Sequence, residues 1–138
     1  MPAIIWDASM STGVQALDDQ HKQVIAWLND LLAAMLQGKG HAEIEGLLDQ
    51  INSYTAAHFR HEEDCMARYK CPAAHKDAAD HARISKVLGA LNAEFERDGA
   101  TAHLAVLLQT EGIRLFVGHI RRIDTQLYPC VRALEETA

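Results

Sequence analysis

Apolar residues recur at three- and four-residue intervals through most of this chain, the spacing of one face of an α-helix. Residues 1 to about 17 are the exception, because Pro2, Ser9, Ser11, Thr12 and Gly13 interrupt any period. They predict an irregular arm, with Trp6 available to plug it onto the body. A first helix is expected over about 18–37, with Val14, Leu17, His21, Val24, Ile25, Leu28, Leu32 and Met35 on one face. Asp18 or Asp19 can cap its start, and Gly38 and Gly40 end it. A second helix is expected over about 42–69, its inner stripe including Ile44, Leu47, Ile51 and Cys65, before Cys71-Pro72 breaks the chain. A third, over about 73–97, carries Asp77, His81, Ile84, Leu88, Leu91 and Phe95 in one stripe and stops at Asp98-Gly99. A last helix covers about 101–120, and the same pattern can carry on to about residue 134. There is no strand-like alternation, repeat or low-complexity segment. The pattern predicts an all-α fold: an antiparallel four-helix bundle with an irregular N-terminal arm, in a single domain over 1–138.

Composition narrows the function classes. The chain has 138 residues, 49% of them hydrophobic, and a net charge of −6. That is enough to bury a core, and it lacks the basic footprint that nucleic-acid binding needs. No apolar run approaches the length of a membrane span, and the N-terminus lacks the layout of a secretory leader. The expectation is a cytoplasmic protein with no nucleic-acid or membrane partner. Cys65, Cys71 and Cys130 are odd in number and fit no zinc spacing, so they read as reduced, mostly buried thiols.

Polar residues on the inner stripes change the picture. His58 and Glu62 lie four residues apart and project from one side of their helix. Asp77 and His81 repeat that spacing on the third helix, while His21 and the pair His119 and Asp124 occupy the first and last. A single inward histidine is usually a hydrogen-bonded core residue. Seven inward ionisable side chains on four helices are another matter, because burying them without a cation would cost many kcal/mol. A dinuclear metal site offsets that cost. Nitrogen and oxygen donors without thiolate suit iron or manganese, and Glu62 and Asp124 could bridge two ions.

These residues resemble a known family. Trp6-Asp7, Gly13-Val14 and Leu17-Asp18-Asp19-Gln20-His21 look like the N-terminal signature of the hemerythrins and bacteriohemerythrins. His58-Phe59-Arg60-His61-Glu62-Glu63 resembles their second-helix motif, and His119-Ile120-Arg121-Arg122-Ile123-Asp124 with Tyr128 resembles their last. The resemblance implies two non-haem iron ions, oxo- or hydroxo-bridged, that bind O2 or other small diatomic or anionic ligands. It places His21 and His58 on one iron and His81 and His119 on the other, with Glu62 and Asp124 bridging. It leaves any protein partner unspecified.

One position departs from the family pattern. The family's third helix carries His-x-x-x-His, the first histidine fifteen residues beyond the bridging glutamate. Here that position is Asp77, and His81 follows at nineteen. Asp77 therefore stands as the substitute ligand. His75 is the rival, although on a regular helix it points about 120° away from His81. Asp77 as a cap that leaves one iron short of a donor is a further alternative. A carboxylate is a harder donor than an imidazole and favours ferric iron. That moves the ligand set toward the carboxylate-rich di-iron proteins that activate O2 or peroxide, so a weak oxidase or peroxidase is the alternative to an O2 carrier, store or sensor.

Smaller expectations complete the reading. Leu115, Phe116 and Ile120 bracket His119 and are expected to wall a gas pocket. His61 reads as a histidine at the bundle edge or one that hydrogen-bonds a ligand, and Cys65 as packing. His41 and His103 lie near helix ends and should be exposed. Finally, His119 and Asp124 are five residues apart, about 140° of rotation on a regular helix. Either the helix widens between Ile120 and Asp124 or it bends so that Asp124 reaches across, and the irregularity is expected nowhere else in that helix.

Overall fold

The computed structural model describes residues 4–137; Pro2 lies outside the described residues. Helix α1 spans Gln15–Leu36, α2 His41–Arg68 and α3 Ala74–Asp98. The fourth arm of the bundle is assembled from pieces. Helix α4, Ala102–Leu107, runs into a π-helical turn at Leu108–Ile113 and on into α5, Arg114–Arg122. A 3-10 turn at Asp124–Gln126 then leads to α6, Leu127–Thr137. No strand occurs among the described residues, and the four long arms form an all-α four-helix bundle.

The helix ends follow local chemistry. Gly38 and Gly99 adopt φ of 69° and 76° just past α1 and α3, a left-handed geometry that costs glycine little. Thr101 caps α4 by accepting the Leu104 N–H at 3.0 Å. The start of α1 corrects the sequence reading. The helix begins at Gln15, so Asp18 sits inside its first turn and does not cap it. The Asp18 carboxylate instead accepts the Thr12 N–H at 2.8 Å, the Thr12 hydroxyl at 2.9 Å and the Ser11 hydroxyl at 2.6 Å. Asp18 thus fastens the arm to the helix. Asn29 makes a second tie, accepting the Ile4 N–H at 3.0 Å and donating to the Ile4 carbonyl at 2.8 Å. Trp6 packs against the main core with the Lys22 ammonium 4.3 Å above its ring, as the arm's plug.

The core is divided. One apolar cluster includes Val24, Leu28, Ile51, Leu91, Phe95, Leu104, Leu108 and Phe116. A smaller one gathers Leu17, Cys65, Met66, Cys71, Ala73, Leu127 and Val131. Between them along each of the four arms lie buried polar residues: His21, His58, Glu62, Asp77, His81, His119 and Asp124. Each fully buried Leu or Ile contributes roughly 1.5–3 kcal/mol. Two such clusters hold the polar layer in place between them.

The irregularities of the fourth arm differ from expectation. The widened turn lies at Leu108–Ile113, well before Ile120, and the backbone breaks again at Ile123 (φ −113°). The expected irregularity between Ile120 and Asp124 is present, but the expectation that the arm is irregular nowhere else is wrong. Gly112 sits within the π turn where an added Cβ would meet Leu91 Cδ1 at 3.2 Å, so the arm approaches α3 closely there. The extra residue resets the helical phase, so that Ile113, Phe116, His119 and Ile120 all face inward. The 3-10 turn after that break coincides with a covalent constraint. Pro129 has no N–H for the Thr125 carbonyl, and its ring would clash with that residue in a continuous helix. Helix α6 restarts at Leu127, which places Pro129 in a first turn where its missing donor costs nothing. Side chains cover carbonyls near the break: Thr125 donates to Arg121 at 2.8 Å and Gln126 to Arg122 at 2.7 Å.

Candidate metal centre

Glu62 lies at the middle of the polar layer, fully buried, and its two oxygens face two different pairs of histidines. Oε2 lies 3.0 Å from His21 Nε2 and 3.3 Å from His58 Nε2. Oε1 lies 2.8 Å from His81 Nε2 and 3.6 Å from His119 Nε2. Asp124 spans the same divide, with Oδ2 3.1 Å from His21 Nε2 and Oδ1 2.8 Å from His119 Nε2. Asp77 faces one side only, its Oδ1 being 3.0 Å from His81 and 3.2 Å from His119. Potential donor atoms therefore fall into two groups: His21, His58, Glu62 and Asp124, and Glu62, Asp77, His81, His119 and Asp124. All seven residues picked out in the sequence come together, and the two shared ones are the expected bridges.

The outer nitrogens of three rings are held from behind. His58 Nδ1 pairs with the Gln20 amide oxygen at 2.6 Å, His81 Nδ1 with Glu63 at 2.8 Å and His119 Nδ1 with Asp80 at 2.8 Å. An acceptor there keeps the proton on Nδ1 and turns the Nε2 lone pair inward. Gln20 extends the chain by donating to His61 Nδ1 at 3.0 Å, which makes His61 an outer partner at the bundle edge. Phe59 stacks on His81 at 3.9 Å and fixes its ring plane. Glu63, Asp80 and Gln20 were not identified as supporting residues from sequence. Glu63 and Asp80 adjoin Glu62 and His81, one place off the inward stripe, and that adjacency is the signal that could have found them.

A cation fits this donor set. Both oxygens of Asp77 and of Asp124, together with Nε2 of His58 and of His119, are buried without a hydrogen-bond partner. Several of these atoms nonetheless approach within about 3 Å of one another, as His119 and Asp124 do at 2.8 Å. Those contacts are short but misaligned for hydrogen bonds. They converge on shared space, as ligands do, and unsatisfied groups at this depth are otherwise expensive. No thiolate belongs to either group, since Cys65 packs in the smaller apolar cluster.

The electrostatics follow. Burial works against charge on His119, but the close carboxylates of Asp124, Asp77 and Glu62 outweigh it and push the ring up to about 12. The same contest takes His81 up to about 10 and His21 up to about 9. His58 goes the other way, driven down chiefly by burial. Burial would raise Glu62, yet four histidine partners hold it well below the usual carboxylate range. Burial and the neighbouring Glu62 charge push Asp124 upward.

The remaining sequence candidates divide. His75 is exposed, whereas Asp77 is fully buried in the centre. Leu115 and Phe116 line an apolar cavity of about 10 Å³ with Val24, Ile51 and Ile84, room for one molecule the size of water. Thr55 joins that lining, and its buried hydroxyl has no partner. Phe116 also meets the His21 ring edge-on at 6.2 Å, which puts the cavity beside the polar layer. Ile120 is fully buried in the main core and does not line that cavity. His41 and His103 are exposed; His41 stacks on Phe95.

A family profile described as the hemerythrin HHE cation binding domain matches residues 12–131. A bacteriohemerythrin of Methylococcus capsulatus is 31% identical over 137 residues, covering 96% of this chain and 100% of that protein. A bacteriohemerythrin of Pseudomonas aeruginosa is 38% identical over 78 residues, 55% of this chain and 50% of the relative, so the match spans about half of that protein. A hemerythrin of Siphonosoma cumanense is 35% identical over 106 residues, 75% of this chain and 86% of its own length.

Proposed function

This chain belongs to the hemerythrin HHE cation binding domain family, and from that premise we propose that it is a non-haem di-iron protein that binds O2 as a carrier, store or sensor. The carrying observation is that Glu62 and Asp124 each span two groups of donors. His21 and His58 would hold one iron. His81, His119 and Asp77 would hold the other, with Asp77 in the place of the family's usual histidine. Glu62 and Asp124 would be shared between them. A ferrous pair held there would supply reversible two-electron chemistry toward O2.

The chain's own residues set the conditions. Gln20, Glu63 and Asp80 hold three imidazoles in the tautomer that offers Nε2 inward. The two apolar clusters keep water from the polar layer, and Leu115 and Phe116 supply an apolar berth for a small gas. In this reading the whole chain acts as one domain and works in the cytoplasm with its thiols reduced at rest. Among the described residues no helix is long and apolar enough to cross a membrane.

A second reading draws on Asp77. A third carboxylate beside His81 and His119 suits a centre that keeps ferric iron and reduces O2 or peroxide irreversibly. One experiment separates the two. The anaerobically iron-loaded protein is exposed to air and then evacuated, with its optical spectrum followed throughout. An oxygenated spectrum that bleaches under vacuum supports reversible binding. Immediate, lasting conversion to the ferric form supports the enzyme. The number of irons is tested separately: two per chain are expected, and Glu62→Ala should lose most of both. Two irons with an unchanged spectrum in that variant would remove Glu62 from the bridge.

A further inference from the structure

Away from the metal centre, Cys71 and Cys130 bring their sulfurs within 2.8 Å, although 59 residues separate them in the chain. That is closer than two unbonded sulfurs rest and longer than the roughly 2.05 Å of an S–S bond. Both are free thiols. Cys71 is buried in the connection between α2 and α3, just after Lys70, whose φ of 51° turns the chain there. Cys130 is half-buried on α6, open to a reagent from solvent. Both thiols also approach a single acceptor, the Gln126 carbonyl, each at 3.5 Å.

The place of this pair gives it a purpose. Among the described residues, α6 buries Leu127 and Val131 against Leu17, Met66 and Ala73, a slight hold for a terminal helix. Gln126 ends the 3-10 turn that starts at Asp124. A covalent link between Cys71 and Cys130 would therefore bind α6 to the α2–α3 connection and fix the turn that presents Asp124.

We propose that Cys71 and Cys130 are a dithiol–disulfide site, oxidised reversibly by low-molecular-weight disulfides, that clips α6 to the bundle. The Cys130 thiolate attacks the small disulfide, forming a mixed disulfide and releasing one small thiol. Cys71 loses its proton and attacks the Cys130 sulfur, which releases the second small thiol. Two protein thiols are oxidised, one disulfide is reduced to two thiols, and electrons and protons balance. Burial and the adjacent Cys71 thiol push Cys130 up to about 11, so the exchange is slow near neutrality and quickens as pH rises.

The test uses the full iron-loaded chain, equilibrated without oxygen in glutathione buffers of increasing glutathione disulfide content. Samples are acid-quenched, alkylated and mapped by mass spectrometry. Two of the three thiols should disappear together, with a Cys71–Cys130 cross-linked peptide and Cys65 still alkylated. Closing so long a loop should raise the unfolding temperature by roughly 5–15 °C, and dithiothreitol should reverse the rise. Cys130→Ser, at a half-exposed position, should abolish both the cross-link and the rise. Three alkylated thiols at the most oxidising ratio would overturn the proposal. So would glutathione persisting on Cys130, or a cross-link between chains. A further consequence rests on the di-iron reading: the clipped form should lose iron to a chelator at least several-fold more slowly. If only that arm fails, the clip stands and its link to the metal centre is lost, since mass and thermal shift are read without reference to iron.

Discussion

His119 is held between carboxylates on both edges of its ring, with Asp80 behind it and Asp124, Asp77 and Glu62 in front. Of these, Asp77 is the residue that the proposed reading puts in the place of the family's usual histidine, so its substitutions are the most informative. In Asp77→His the usual donor set returns, and the ferrous, oxygenated form should decay to ferric more slowly, measured as the rate of spectral loss in air. Asp77→Ala should keep the fold, weaken one iron on the order of 10–100-fold or more, and open the centre to small anions such as azide, read by an anion-induced band. His75→Ala should change neither. The reverse pattern, in which His75→Ala disturbs the spectrum and Asp77→Ala does not, would give the position to His75. Inward i, i+4 pairs such as His58 with Glu62 are legible in sequence because both members lie on an apolar stripe. Glu63 and Asp80 are not. They sit on flanks that read as solvated, and nothing in a one-dimensional period says which neighbouring helix they lean toward.

At the scale of the element, the fourth arm shows what periodicity conveys and what it omits. Helices α1, α2 and α3 follow from unbroken stripes, closed by Gly38, by Cys71-Pro72 and by Gly99. The π turn at Leu108–Ile113 has no comparable signal beyond Gly112, where the arm lies close against Leu91. The 3-10 turn that follows Ile123 did have one, in Pro129, which forbids a regular helical bond to the Thr125 carbonyl inside that turn. Pro129→Ala tests that constraint. Restoring the N–H, and relieving a penalty of about 3 kcal/mol for proline in a continuous helix, lets the last turn of α5 run on into α6. Asp124 would then rotate out of the centre. The expected result is a rise in helical circular dichroism with a fall in bound iron below two per chain. Unchanged iron would mean that Asp124 and the packing of Leu127 impose the break without help from Pro129.

The whole molecule couples these parts through charge. Without metal, protons keep the layer of histidines and carboxylates together: the carboxylates facing the rings overcome burial and lift His21, His81 and His119 to about 9, 10 and 12. A metal ion requires the neutral rings. Loading iron at neutral pH should therefore expel about three protons per chain, readable as the buffer dependence of the titration heat, and affinity should fall as pH drops. The stability of the metal-free fold carries the matching sign. In the unfolded chain these histidines titrate near 6.5, so their contribution is complete below that pH and is lost as pH climbs through the folded values. Asp124, pushed upward mainly by burial, acts in the same direction, since the unfolded chain gives up its proton first. Glu62, held low by its histidines, matters at the acid end, where its contribution disappears as pH falls. Denaturant midpoints at about pH 7 and pH 10 should thus fall for the metal-free protein and hold for the iron-loaded one, whose rings are neutral already. A metal-free protein that gained stability between those two values would show that the buried layer is not held together by protons.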